Sequence, residues 1–166
     1  MGACRLGLPF RHPAVLLATW FGAGCLPLAP GSWGSLAALP LAWAIRSLLG
    51  VGGLAAASAI VFGVGWWAAA SVAKTSPVED PREVVIDEVG GQWLVLLAAP
   101  PTLAAYGLAF LLFRIFDVWK PWPARWADRR VKGGLGIMLD DLFAAVYACV
   151  LLVVLLTISG ASGVRS

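Results

Sequence analysis

Charge is what this 166-residue chain has least of: Asp, Glu, Lys and Arg make up 13% of it, against 60% hydrophobic residues. A soluble core protein needs frequent polar faces, and none recur here. Histidine occurs once, as His12 beside Pro13, remote from every acidic cluster. Chemistry built on paired histidines is thereby excluded. The three cysteines, Cys4, Cys25 and Cys149, are scattered and lack CxxC spacing, so neither a disulfide framework nor a zinc site is indicated. No Gly-x-x-x-x-Gly-Lys run exists to cradle a nucleotide, and no cysteine has an arginine six residues on, as a thiolate phosphatase requires. Polar linkers, low-complexity stretches and repeats are missing too, so residues 1–166 read as one domain.

What fills the chain instead is apolar length. Uncharged runs cover 12–45, 47–73, 89–113 and 142–164, and about 20 apolar residues cross a bilayer. Each run can hold a span or a helical hairpin. The prediction is an all-α, polytopic membrane protein with about five transmembrane or deeply inserted helices. Arg5 and Arg11 precede an apolar stretch with no convincing small-residue cleavage site, the pattern of an uncleaved membrane protein. Within 14–32, Gly22, Gly24, Pro27, Pro30 and Gly31 interrupt any straight helix. Irregular backbone at membrane depth must be buried in protein or line a wet cavity, so a broken, re-entrant N-terminal segment is expected. Pro30-Gly31-Ser32 then leads into a helix predicted over about 34–49. Ser32 or Ser35 could cap it, and the free N–H groups there would suit a phosphate; a plain turn is the alternative. Gly50, Gly52 and Gly53 make a short turn into a second helix over 54–73.

Two clusters hold most of the charge. The first, KTSPVEDPREVVIDEVGG at 74–91, places Pro81 at the first position of a predicted helix bearing Glu83, Asp87 and Glu88. The second, FRIFDVWKPWPARWADRRVKGGLGIMLDD at 113–141, carries half of the lysines and arginines and four of the nine acids. Arg114, Asp117 and Lys120 share one helical face, and Pro121 and Pro123 stop that helix. Arg125, Asp128, Arg129 and Lys132, with Trp119, Trp122 and Trp126 around them, read as an amphipathic interfacial segment. Gly133, Gly134 and Gly136 read as a loop free to approach something closely. The last helix is then expected to start at Asp140 and Asp141, where negative charge meets its dipole, and to run to about 159.

Between the clusters, Pro100-Pro101 interrupts the run 89–113. One kinked span would put the clusters on opposite sides of a membrane; a hairpin turning at the prolines brings them together. Counting cations favours the hairpin. With the N-terminus inside, ten Lys and Arg fall on the inner side and only Arg46 and Arg165 outside. The N-terminus is expected in the cytoplasm and the C-terminus outside.

On that topology Asp80, Asp87, Glu88, Asp117, Asp140 and Asp141 gather at one cytoplasmic face, where they repel unless cations sit among them. Oxygen ligands without Cys or His point to Mg²⁺ rather than zinc. Arg114, Lys120, Arg129 and Lys132 could then bind and polarise a phosphate. The plainer alternative is a positive-inside loop with incidental acids. The net charge of +3 sits mostly in loops and speaks to anionic lipid, not nucleic acid. A small transporter or channel with acids at its pore mouth is a second class, but the helix centres carry no charge and no inverted repeat is visible. No Asp-x-Asp run of aspartyl-phosphate enzymes occurs, which favours metal-assisted attack by water, with Asp117 accepting the proton.

Four stretches resemble the phosphatidylglycerophosphatase A family: GAGCLPLAPGSWGSL at 22–36, IDEVGGQW at 86–93, FRIFDVWKPWPARWADR at 113–129 and GGLGIMLDD at 133–141. They cover about a third of the chain, in the family's order, and FRxFDxxKPxP followed by GGxGIMxDD is specific. The resemblance implies an Mg²⁺-dependent, multi-pass enzyme of the bacterial inner membrane. It would remove the phosphate from phosphatidylglycerol phosphate at a site facing the cytoplasm. It marks Asp87, Glu88, Asp117, Asp140 and Asp141 as site residues, with Arg114, Lys120 and Pro30-Gly31-Ser32 beside them. The expected metal ligands are Asp87, Glu88, Asp140 and Asp141. The expected catalytic acids are Asp87, Glu88, Asp117 and Asp141, and the expected substrate contacts are Gly31, Ser32, Arg114, Lys120, Arg129 and Lys132. Asp80 stays outside that set because the stretch before Asp87 varies among members. Nothing in the sequence sets the oligomeric state.

Overall fold

A computed structural model describes residues 6–78 and 80–160. Among the described residues there is no strand: α1 (Pro13–Ala18), a single 3-10 turn (Ala23–Cys25), α2 (Pro30–Ala73), α3 (Ile86–Ala98), α4 (Leu103–Trp119), α5 (Ala124–Arg130) and α6 (Gly133–Ile158) follow one another. As a straight rod the 44 residues of α2 would reach about 66 Å, twice the roughly 30 Å core of a bilayer. It is not straight. Gly50, at φ 69° and ψ −169°, breaks the helical geometry. The position of a Cβ on Gly34 meets Val85, and that on Gly65 meets Ile86, so both arms of α2 pass the start of α3. The expected glycine turn between two helices is therefore present, made by Gly50 alone, and the arms run antiparallel.

α3 and α4 form a hairpin turned by residues 99–102, with Thr102 capping α4 through Ala105 N–H. The two prolines cannot donate, and the residue before a proline avoids helical geometry. This hairpin returns the chain to the end it left, and Glu88 of α3 lies 3.7 Å from Arg114 of α4. At the far end Arg46 donates to Leu96 O at 2.5 Å and Leu97 O at 3.3 Å, two of the last carbonyls of α3. Trp93 Nε1 donates to Ala38 O at 3.0 Å and ties α3 to the first arm of α2.

The packing is small inside and large outside. Ala38, Ala42, Ala68, Ala69, Ala144 and Ala148 are buried, whereas Leu48, Ile60, Leu103, Leu111 and Val150 face outward. Small residues that let helix backbones approach make the contacts, and the larger branched apolar side chains are left on the outside, the pattern of helices that associate without a hydrophobic drive. Two of the helices, α2 and α6, are long and apolar enough to cross a membrane. The fold and the family resemblance agree on an all-helical membrane protein.

The N-terminal segment is broken as expected: Trp20, Phe21, Leu28 and Ala29 have positive φ between short helical pieces. Four expectations are corrected. α2 starts at Pro30, not near residue 34, and its N-cap is Ala29 without a side-chain bond, so neither Ser32 nor Ser35 caps it. α3 starts at Ile86, not at Pro81, because the Val85 N–H is taken by Ala18 O and holds 81–85 as a turn against α1. α6 starts at Gly133, so Asp140 and Asp141 lie two turns inside it and not at its dipole end. Its glycines serve packing instead: a Cβ on Gly134 would lie 2.4 Å from the backbone nitrogen of Ala70. Cys25, finally, is disulfide-bonded, which scattered spacing does not report, while Cys149 keeps a free thiol.

Candidate active site

Three helices deliver acids to one end of the bundle. The first turn of α3 carries Asp87 and Glu88, and Ile86 and Val89, 1% and 0% exposed, hold the opposite side in the core. The last turns of α4 carry Arg114 and Asp117. α6 contributes Asp140 and Asp141, 6% and 2% exposed. Gly91 lets α6 come close, since a Cβ there would lie 3.2 Å from Asp141 O and 2.6 Å from the Phe113 ring.

One carboxylate oxygen from each of Asp87, Glu88 and Asp141 lies within 4.8 Å of the others. Like charges at that spacing repel by roughly 3 kcal/mol per pair at an effective dielectric of about 20. Asp87 Oδ1, Glu88 Oε2 and Asp141 Oδ2 are buried without a hydrogen-bond partner. Buried carboxylate oxygens of this kind call for a cation. An all-oxygen donor set with neither Cys nor His fits Mg²⁺.

Cations stand around the triad. Arg114 Nη1 is 2.5 Å from Asp117 Oδ2 as well as 3.7 Å from Glu88 Oε1. Its Nε is buried without a partner, a donor left for a ligand. Lys120, turned by a left-handed C-cap, brings Nζ to 2.5 Å from Asp140 Oδ2. Asp140 is thus drawn to Lys120, beside the triad instead of within it. Gly31, in the first turn of α2, presses on the acids: a Cβ there would lie 1.9 Å from Glu88 Oε1 and 2.9 Å from Arg114 Nη1.

The sequence-predicted residues Gly31, Asp87, Glu88, Arg114, Asp117, Lys120, Asp140 and Asp141 therefore converge, with Ser32 on the same turn as Gly31. Lys132 sits at the edge, lining a cavity of about 50 Å³ together with Asp80 and Asp140. Arg129 stands apart, in a larger cavity beside Lys120. His12 caps α1, its Nδ1 accepting from Ala14 N–H at 3.2 Å. Sequence reasoning missed Gln92. It lies one turn after Glu88, is 0% exposed, and neither of its amide atoms has a partner. The signal was there: it is the chain's one glutamine, in a sequence without asparagine, inside an uncharged run.

Residues 16–156 match the family model described as Phosphatidylglycerophosphatase A. The chain is 40% identical over 140 residues to Phosphatidylglycerophosphatase A of Escherichia coli (strain K12), covering 84% of this chain and 81% of that protein. It is 39% identical over 140 residues to the Haemophilus influenzae protein of the same name, covering 84% and 86%. A Bacteroides thetaiotaomicron protein provisionally named phosphatidylinositol-3-phosphatase is 40% identical over 146 residues, covering 84% and 91%. No solved structure matches the chain.

Proposed function

The chain belongs to the phosphatidylglycerophosphatase A family, and on that footing we propose that it hydrolyses the terminal phosphate of phosphatidylglycerol phosphate, releasing phosphatidylglycerol and inorganic phosphate. The observation that carries this reading is the gathering of carboxylate oxygens of Asp87, Glu88 and Asp141 within 4.8 Å of one another, each residue also having a buried oxygen without a hydrogen-bond partner, beside the open Nε of Arg114. Mg²⁺ held by the three carboxylates would offset their repulsion and polarise the phosphoryl group.

The chain's own residues supply the rest. Arg114, fixed by Asp117 and Glu88, donates to phosphate oxygens and neutralises charge that builds on them. Lys120, tied to Asp140, is a second cation for the same group, with Lys132 at the rim. Gly31 leaves the space that a side chain would take from Glu88 and the ligand, and Ser32 sits beside it. Asp117, joined to Glu88 through Arg114, takes a proton from the attacking water. As the new P–O bond forms, the bond to the glycerol oxygen breaks and that oxygen takes up the proton Asp117 received. With no Asp-x-Asp run in the chain, direct attack by water is favoured over an aspartyl-phosphate.

The alternation of helices supports a topology. Lys74, Arg82 and the cations from Arg114 to Lys132 lie toward the acidic end, and Arg46 toward the other. Arg5 and Arg165 fall outside the described residues. By the positive-inside rule the acidic end faces the cytoplasm of a bacterial inner membrane, with the two arms of α2, α3, α4 and α6 as five inserted helices.

The test is phosphate release by purified protein from detergent-solubilised phosphatidylglycerol phosphate, with phosphatidylinositol 3-phosphate alongside, with and without Mg²⁺. Asp141→Asn and Glu88→Gln are expected to abolish turnover while the protein accumulates normally; wild-type rates in either variant remove that residue from the site. Turnover that survives removal of all divalent cations removes the metal. Radiolabelled phosphate retained on acid-quenched protein, and released by hydroxylamine, would replace water by a carboxylate nucleophile.

A further inference from the structure

Beside the acidic site, a cavity of about 500 Å³ is lined by Trp119, Trp122 and Trp126 together with Lys120, Arg125, Arg129 and Arg130. Among the described side chains, all four charged lining residues are cations. Such a concentration of like charge invites an anion. Three indoles frame it, and Trp119, Trp122 and Trp126 are 62%, 76% and 51% exposed. Exposed tryptophans among cations, at one end of an apolar helix bundle, place a cavity at the depth of lipid headgroups. The volume falls in the range of small-molecule sites.

The walls are held in place. Arg125 Nη2 donates to Trp119 O at 3.2 Å, and Tyr147 of α6 donates its hydroxyl to Trp122 O at 2.6 Å. Phe116 stacks on Trp119 and on Tyr147, with ring centroids 6.2 and 5.5 Å away. Lys120 belongs to both places: it lines the cavity, and its Nζ reaches Asp140, the neighbour in sequence of Asp141. The cavity and the acidic site are thus joined by one side chain.

We propose that this cavity binds the phosphodiester of the lipid substrate, so that the protein recognises a headgroup by two phosphates at once. The terminal phosphomonoester lies at Arg114 and the carboxylate triad. The linking diester lies among Arg125, Arg129 and Arg130, whose planar forks suit a phosphate monoanion. Lys120 sits between the two. Phosphatidylglycerol phosphate, the substrate of the reading above, carries both groups. A lipid bearing only a terminal monoester, such as phosphatidic acid, fills one half of the site. The inference rests on the lipid-phosphatase reading above for its first half, and on the cavity alone for its second.

Two measurements on the full-length protein in detergent test it. The first compares kcat/KM on phosphatidylglycerol phosphate and on phosphatidic acid for wild type and Arg125→Gln/Arg129→Gln. The preference for the two-phosphate lipid is expected to fall at least tenfold in the variant, mainly through KM. Equal losses on both lipids, or a loss confined to kcat, would overturn the proposal. The second needs no turnover. Short-chain phosphatidylglycerol, which has the diester and lacks the terminal phosphate, is titrated against tryptophan fluorescence. Saturable binding that weakens about tenfold in the variant is expected, with inorganic phosphate giving no comparable response. Equal binding by both proteins refutes the cavity assignment even if the wild type proves inactive. An inactive wild type that still binds phosphatidylglycerol in this way refutes the hydrolase reading instead.

Discussion

Gly31→Ala is the sharpest probe of the site, because it adds one methyl group at a place where the helix itself would welcome it. The residue sits in the first turn of α2. Alanine is preferred over glycine within helices by about 1 kcal/mol, so local stability should not fall on backbone grounds. The new Cβ, however, would lie 1.9 Å from Glu88 Oε1 and 2.9 Å from Arg114 Nη1. An ordinary contact needs about 3.4 Å, so the Glu88 carboxylate must retreat by roughly 1.5 Å and draw Arg114 with it. Misplacement of catalytic groups by about 1 Å can lower rates on the order of a hundredfold, or about 2.7 kcal/mol of barrier. The expected outcome is therefore a kcat about a hundredfold lower with a thermal midpoint close to wild type. Gly107→Ala in α4 is the control, since nothing lies within 4 Å of its added Cβ; it should leave the rate intact. Initial phosphate release at saturating lipid and Mg²⁺ measures both. A Gly31→Ala enzyme within threefold of wild type would show that Glu88 and Arg114 do not act where they stand.

Three further outcomes follow from other parts of the molecule. Mg²⁺ should raise the thermal midpoint of the metal-free protein, because a cation offsets the mutual repulsion of Asp87, Glu88 and Asp141, whose oxygens lie within 4.8 Å of one another; a midpoint that Mg²⁺ does not move would refute the metal site. Gln92→Leu replaces a buried amide with no partner, so the melting midpoint should rise, by about 1–3 kcal/mol of stability, while activity falls tenfold or more; a variant unchanged in both leaves Gln92 without a role. Single cysteines at Val78 and Trp122, 56% and 76% exposed, should both label from the cytoplasmic side of vesicles in a cysteine-free background, and one at Leu103, 86% exposed, from the outside. Labelling of Val78 and Trp122 from opposite sides would break the hairpin.

Patterning along the chain was enough to read the protein as helical with apolar runs long enough to cross a membrane, to put turns at the glycines of 50–53 and at Pro100-Pro101, and to collect acids and cations at one end. These are local matters: apolar run length against bilayer thickness, residues that cannot continue a helix, charges that cannot sit in hydrocarbon. What the sequence left open was how neighbouring charges divide among themselves. Asp140 and Asp141 are adjacent, yet Asp140 goes to Lys120 while Asp141 joins Asp87 and Glu88. A helix turns successive side chains by about 100°, and only the positions of α3 and α4 beside α6 decide which of the two meets which partner. The glycines at 133–136 look like a loop in one dimension and are the first turn of α6 in three, because their lack of side chains is used against the backbone of Ala70, far away in sequence. Likewise the sequence marks Gly31 as a substrate-side glycine and Gln92 as a lone glutamine in an uncharged run, but only when the first arm of α2 is laid along α3 does one prove to be the floor beneath Glu88 and the other a buried amide one turn below it. Contacts between distant segments set those roles, and distance in space is what a linear sequence does not carry.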